Sequence, residues 1–84
     1  TVYTEKEQSQ GRSDCIVETD SYVYIFEFKR DGSADEALAQ IDAKGYVRPY
    51  DADPRRLYKI GVNFSSRTGT VEEWKVKEKD NGKP

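Results

Sequence analysis

The sequence predicts a small domain of the mixed α/β (α+β) class, with elements in the order β-β-β-α-β-β. Three observations carry this expectation. Two long apolar runs, residues 22–29 and 57–64, are rich in β-branched and aromatic side chains, as strands are. Between them, Ser33-Ala34-Asp35-Glu36 opens a stretch whose apolar residues recur at helical spacing. A shorter apolar run, Cys15–Glu18, is joined to the first by the turn-forming set Thr19-Asp20-Ser21, which reads as a β-hairpin.

The elements follow in order. Residues 2–8 begin with Val2 and Tyr3 and read as a first strand, broken by Gly11. The hairpin supplies the second and third strands. Residues 22–28 are apolar on both faces, as expected of a central strand covered on both sides. Asp31-Gly32 ends that strand. The Ser33 hydroxyl then accepts from the Glu36 amide in a capping box, and the helix runs to about Lys44. Ala34, Ala37, Leu38 and Ile41 form its apolar stripe, and Gly45 stops it. Residues 48–56, with Pro49 and Pro54, read as a loop. A turn over residues 65–69 joins the strand at 57–64 to a last strand at 70–76. There Trp74 and Val76 face the core, and Glu73, Lys75 and Lys77 face water. The domain therefore covers residues 1–77, followed by a polar tail at 78–84.

Composition narrows the chemistry. With 84 residues the chain holds one small domain, and Thr1 in place of an initiator Met suggests a piece of a longer polypeptide. A net charge of -2 means that nucleic-acid binding needs a local basic patch rather than bulk charge. Cys15 is the sole cysteine, which rules out an internal disulfide and suits a reducing cytoplasm. No apolar run is long enough for a membrane helix. The absence of histidine excludes Ser-His-Asp and Cys-His triads and zinc sites built on His. Metal chemistry would have to use oxygen ligands, which favours Mg²⁺ or Mn²⁺.

The stretch YVYIFEFKR, Tyr22–Arg30, places that chemistry. Alternation puts Val23, Ile25, Glu27 and Lys29 on one face and Tyr22, Tyr24, Phe26 and Phe28 on the other. A two-residue turn at Asp20-Ser21 sets Asp14 opposite Glu27, with Cβ atoms about 5 Å apart. Two carboxylates so placed repel unless a cation lies between them, and a backbone carbonyl such as that of Phe28 can complete its shell. Lys29 would orient or deprotonate a water there, so the reaction class is metal-assisted phosphodiester hydrolysis. An acid two residues before a lysine also occurs at Asp42–Lys44 and Glu73–Lys75, but only Glu27 lies in a fully apolar strand, where a charge is costly unless paired. The plain alternative is an exposed strand end at which Glu27 and Lys29 pair with each other or with Asp14.

With GRSD (11–14), VYIFEFKRDGSADEALAQI (23–41), KGY (44–46), KIGVNF (59–64) and VEEWKV (71–76) in order, the chain resembles the PD-(D/E)XK nuclease superfamily. More narrowly, it resembles the small domain at the C-terminal end of predicted bacterial AAA-type ATPases. The resemblance implies a restriction-endonuclease-like fold: a four-stranded mixed sheet with flanking helices and an extra strand. It implies metal ligation by Asp14 and Glu27, assistance from Lys29, and a place beside the site for Gln40. Gly11 and Arg12 match the turn before the catalytic aspartate. Ser13 replaces the nominal proline, and the superfamily's N-terminal core helix is absent from this sequence.

The implied function is a Mg²⁺- or Mn²⁺-dependent nuclease acting on DNA, with RNA as second choice, attached to an upstream ATPase. The rival readings are a non-catalytic module that binds nucleic acid or protein, and a regulatory or dimerisation domain. Arg12, Tyr46, Arg48, Arg55 and Arg56, with Lys59 and Tyr50 among them, form the candidate nucleic-acid contacts, since basic residues track phosphates and aromatics stack on bases. Trp74 is assigned to the core, and Cys15 is read as a small buried hydrophobe.

Overall fold

The computed structural model describes residues 2–4, 7–8, 11–12 and 14–79, the segments before residue 14 through their strand pairing alone. A five-stranded mixed sheet takes the spatial order β1-β4-β5-β6-β7, formed by β1 (Val2–Thr4), β4 (Cys15–Glu18), β5 (Tyr22–Arg30), β6 (Arg56–Phe64) and β7 (Val71–Glu78). The central pair β5–β6 is parallel and the other pairs are antiparallel. The predicted first strand is divided. Its beginning joins the main sheet as β1, while β2 (Glu7–Gln8) pairs with β3 (Gly11–Arg12) in a separate hairpin.

A parallel pair needs a crossover, and α1 (Ala34–Ala43) supplies it. Ser33 accepts from the Glu36 amide at 3.0 Å, which is the predicted N-cap. The Ala34 amide donates instead to Glu73 of β7, 3.0 Å away, so a residue remote in sequence completes the cap. At the other end Gly45 takes φ +70, and Tyr46 N–H reaches the Ile41 carbonyl while Gly45 N–H reaches that of Asp42. This Schellman closure turns Tyr46 back into the core.

The core lies between α1 and one face of the sheet. Ile16, Val23, Ile25, Ile41, Tyr46, Tyr50 and Leu57 form it, with Leu38 and Val47 packed against them. Gly61 in β6 lets the helix approach closely. A Cβ there would lie 2.4 Å from the Ala34 carbonyl oxygen and 3.0 Å from the Ala37 methyl. The segment read as a loop contains a 3₁₀ turn at Arg48–Tyr50, which buries Tyr50. The last strand extends to Glu78, and Lys79 N–H donates to the Leu57 carbonyl. Among the described residues, no helix is long and apolar enough to cross a membrane.

Two expectations about the second face are corrected. The sequence reading has β5 covered on both sides and Trp74 in the core. Among the described residues α1 covers one face only; on the other, Phe28 is 41% and Trp74 64% exposed. Trp74 pairs with Val62 on the edge strand β7, every residue of which is exposed, and among the described residues no strand lies beyond β7 to shield it. Tyr22, Tyr24 and Tyr58 stack on this open face, as do Phe26 and Phe28, which half-buries some of the aromatic area.

Candidate active site

The β4–β5 hairpin sets the geometry. Thr19 closes its turn, its N–H donating to the Tyr22 carbonyl at 2.8 Å and its hydroxyl accepting from Tyr22 N–H at 2.9 Å. Cys15 opposes Phe26, Ile16 opposes Ile25 and Glu18 opposes Val23. One further step in this register brings Asp14 opposite Glu27, as the two-residue turn predicts. The ladder ends at Cys15, leaving Phe28 N–H without a strand partner from β4. The Asp14 side chain takes its place, Oδ2 accepting from that amide at 2.8 Å.

Glu27 lies under the helix and is only 4% exposed. The parallel register sets Gly61 beside it, and the close approach of α1 over Gly61 brings Gln40 to the carboxylate. Gln40 Nε2 donates to Glu27 Oε2 at 2.6 Å, and Gln40 Oε1 accepts from Lys29 Nζ. One amide therefore fixes both the acid and the base. Glu27 Oε1 is buried and, among the described residues, has no hydrogen-bond partner. Burial first, and then the negative charge of Asp14, push the Glu27 carboxyl up to about 7, against the pull of Lys29, the Asp14 amide and Gln40.

An orphaned carboxylate oxygen beside a second, like-charged carboxylate is unfavourable on its own and a good pair of hard donors for a divalent cation. The donor set thus fits the Mg²⁺ or Mn²⁺ that the resemblance implies. It is small: among the described residues, no group of three or more His, Cys, Asp or Glu side chains is placed to hold a metal.

The structure brings Asp14, Glu27, Lys29 and Gln40 together, and it adds Tyr46 to them. Tyr46 is 2% exposed, its hydroxyl against the Gln40 side chain and within the field of Glu27 and Asp14. Burial, rather than those charges, is the main reason its ionisation is shifted upward. A ring so enclosed cannot stack on a base, so Tyr46 belongs to the site floor instead of a nucleic-acid surface.

Among the described residues, Arg55, Arg56 and Lys59 are engaged in contacts of their own. Arg56 pairs in register with Tyr22, five residues before Glu27, which at roughly 3.3 Å per residue is about 17 Å away. Its guanidinium is bound to Glu78 at 2.9 Å and lies over the Tyr58 ring. Arg55 is held by Asp53 and Glu18 and by the Thr19 carbonyl. Lys59 is buried beneath α1 and paired with Asp42 at 2.8 Å. Arg48 is exposed on the turn after α1, its side chain folded against Gly45. The Arg12 side chain and Ser13 lie outside the described residues.

Sequence reasoning missed Gly61 and Glu73, which set the helix over Glu27. A glycine inside an apolar strand is a recognisable sign of close backbone approach. Nothing local in the sequence points from Glu73 to Ala34.

Comparison with known proteins gives the family of the chain. A protein of Azotobacter chroococcum mcd 1, described as an uncharacterized protein in the vnfD 5′ region, is 38% identical over 72 residues. The match covers 83% of this chain and 14% of that relative's length. No solved structure matches. The profile of the PD-(D/E)XK nuclease superfamily matches residues 1–74, and the chain therefore belongs to that superfamily.

Proposed function

We propose that this domain is a divalent-metal-dependent nuclease that hydrolyses phosphodiester bonds of DNA, with RNA the less favoured substrate. The observation that carries the reading is Glu27: a buried carboxylate with one oxygen unpartnered and its pKa raised to about 7, facing Asp14. A fold gains nothing from such an arrangement on stability grounds, and perturbed acids of this kind concentrate at functional sites. Superfamily membership supports the same assignment.

Asp14, Glu27 and the Phe28 carbonyl would hold Mg²⁺ or Mn²⁺. When bound, such a cation polarises a phosphoryl oxygen and lowers the pKa of a coordinated water. Lys29 has one N–H committed to Gln40, which leaves two donors for the attacking water or a phosphate oxygen. Gln40 keeps Lys29 and Glu27 in fixed relation, so neither has to be ordered during reaction. Tyr46 and the apolar core beneath exclude solvent from the buried side of Glu27. We place the domain in a larger polypeptide with an upstream ATPase region, on the resemblance of its motifs; the relative, far longer than the matched segment, supports the larger context.

The test is a calorimetric Mn²⁺ titration of the chain beside Glu27→Ala, with circular dichroism to confirm that both are folded. We expect binding to the parent and a loss of affinity exceeding about a hundredfold in the variant, beyond what loss of a supporting hydrogen bond produces. Binding also displaces the Glu27 proton, so affinity should rise about tenfold between pH 6 and pH 8. Metal-dependent cleavage of DNA that disappears in Glu27→Ala completes the assignment. A folded parent that binds no Mn²⁺ would instead support the non-catalytic module.

A further inference from the structure

We propose that β7 is a docking edge for a second copy of this chain, the two β7 strands pairing antiparallel about a two-fold axis centred on Trp74. The inference is independent of the metal site. Among the described residues β7 is an outer strand of the sheet, eight residues long and exposed throughout. Its outer edge presents backbone N–H and C=O groups to which another strand can add. Trp74, Val71 and Val76 are 64%, 58% and 49% exposed, an apolar load unusual for a free edge. They border the uncovered face formed by Phe26, Phe28, Ile60 and Val62.

Lysines on an edge ordinarily keep copies apart, so the charge pattern decides. A two-fold antiparallel pair must be centred on a residue, because opposed side chains share one face of the sheet. Centring on Glu73 opposes that residue to itself. Centring on Lys75 opposes Lys75 to itself and Glu72 to Glu78. Centring on Val76 opposes Lys75 to Lys77. Of the registers that overlap most of β7, only the one centred on Trp74 avoids like charges: Glu73 faces Lys75 of the second copy, reciprocally, and the two Trp74 side chains meet on the apolar face. Glu73 and Lys75 can serve this contact while keeping their own. Glu73 uses one carboxylate oxygen for the Ala34 amide, and Lys75 holds Asp35 in an exposed pair with donors to spare. The result is isologous and closed, a sheet continuous across both copies.

Sedimentation equilibrium of the chain, with and without Lys75→Glu, measures the association. Cysteine cross-linking in a Cys15→Ala background reads its register. Residues at the centre of such a pair have Cα atoms roughly 4.5–5.5 Å apart, within disulfide reach. We expect a dimer, weakened at least about tenfold by Lys75→Glu. Trp74→Cys should cross-link to itself, whereas Val76→Cys, opposite Glu72 in this register, should not. A folded chain that stays monomeric at roughly millimolar concentration overturns the proposal. So does a dimer indifferent to Lys75→Glu, or equal cross-linking at both positions. A monomer whose oligonucleotide binding is lost in Trp74→Ala would overturn it in favour of a base-stacking face.

Discussion

At the turn end of the β4–β5 hairpin, Arg55 donates to Asp53, to Glu18 and to the Thr19 carbonyl, and Tyr50 donates its hydroxyl to Glu18. At the opposite end Asp14 faces Glu27, and Gln40 links the Lys29 ammonium to the Glu27 carboxylate by hydrogen bonds. Both clusters gather acids around one base at the end of the same pair of strands. The Arg55 guanidinium holds the Asp53 carboxyl down at about 2, whereas burial and Asp14 push Glu27 up to about 7. The first cluster favours its own charges, as a structural network does. The second is organised against them, which is the signature expected where an exogenous cation completes the balance.

The largest effect should come from Glu27→Gln. The folded chain keeps the Glu27 proton to about pH 7, while the unfolded chain releases it near 4.5. The folded state thus binds more protons between those values, and stability is lost as pH rises through that window. Glu27→Gln should therefore stabilise the metal-free chain by up to about 3 kcal/mol near pH 8.5, and by almost nothing at pH 4. Urea denaturation at the two pH values measures it. Equal effects at both would mean that the carboxyl is not raised, and the contrast between the two clusters would fail.

Gly61→Ala should come next. The added methyl meets the Ala34 carbonyl oxygen, part of the helix backbone that cannot swing aside. Overpacking of this kind costs about 1–3 kcal/mol. Because α1 carries Gln40, the variant should also weaken Mn²⁺ binding, whereas a substitution at the Arg55 end should leave it unchanged. Lost stability with unaltered Mn²⁺ affinity would show that the placement of Gln40 tolerates a shifted helix.

Which parts of this arrangement were legible in the sequence follows the range of the interactions. The Asp14–Glu27 opposition follows from a two-residue turn and strand alternation, both local rules, and the Ser33 cap and Gly45 stop are local as well. The destination of Arg55, Arg56 and Lys59 is not local: the parallel register of β5 and β6 sends Arg56 to Tyr22, away from Glu27. A cluster of basic residues in sequence was therefore distributed among ion pairs in space. Tyr46 moved from surface to site floor because the helix closes through a 6→1 hydrogen bond from its own N–H to the Ile41 carbonyl, which turns its side chain inward. Trp74 moved the other way, because amphipathic alternation shows which face a residue shares but not whether anything covers that face.

The smallest effect should separate charge from geometry at the Arg55 end. Asp53 has a folded pKa of about 2 against an ordinary 3.8, lowered chiefly by the Arg55 side chain and then by the Arg55 amide. Here the unfolded chain binds the proton first as the solution is acidified, so the stabilisation is present above the ordinary value and is lost as pH falls toward 2. Asp53→Asn should lower stability at pH 7 by a small amount, as solvent-accessible pairs do, and the deficit should vanish in acid. Asn keeps the acceptor for the Arg55 amide, which Asp53 Oδ1 binds at 3.0 Å, so the substitution removes charge while preserving the turn. A deficit constant from pH 7 to pH 2 would show that the turn geometry, not the ion pair, is what Asp53 contributes. A deficit confined to the neutral side, beside the alkaline gain in Glu27→Gln, would give the two ends of one hairpin opposite pH dependences, the measurable form of the difference between a cluster that stabilises its own charges and one in which burial opposes them.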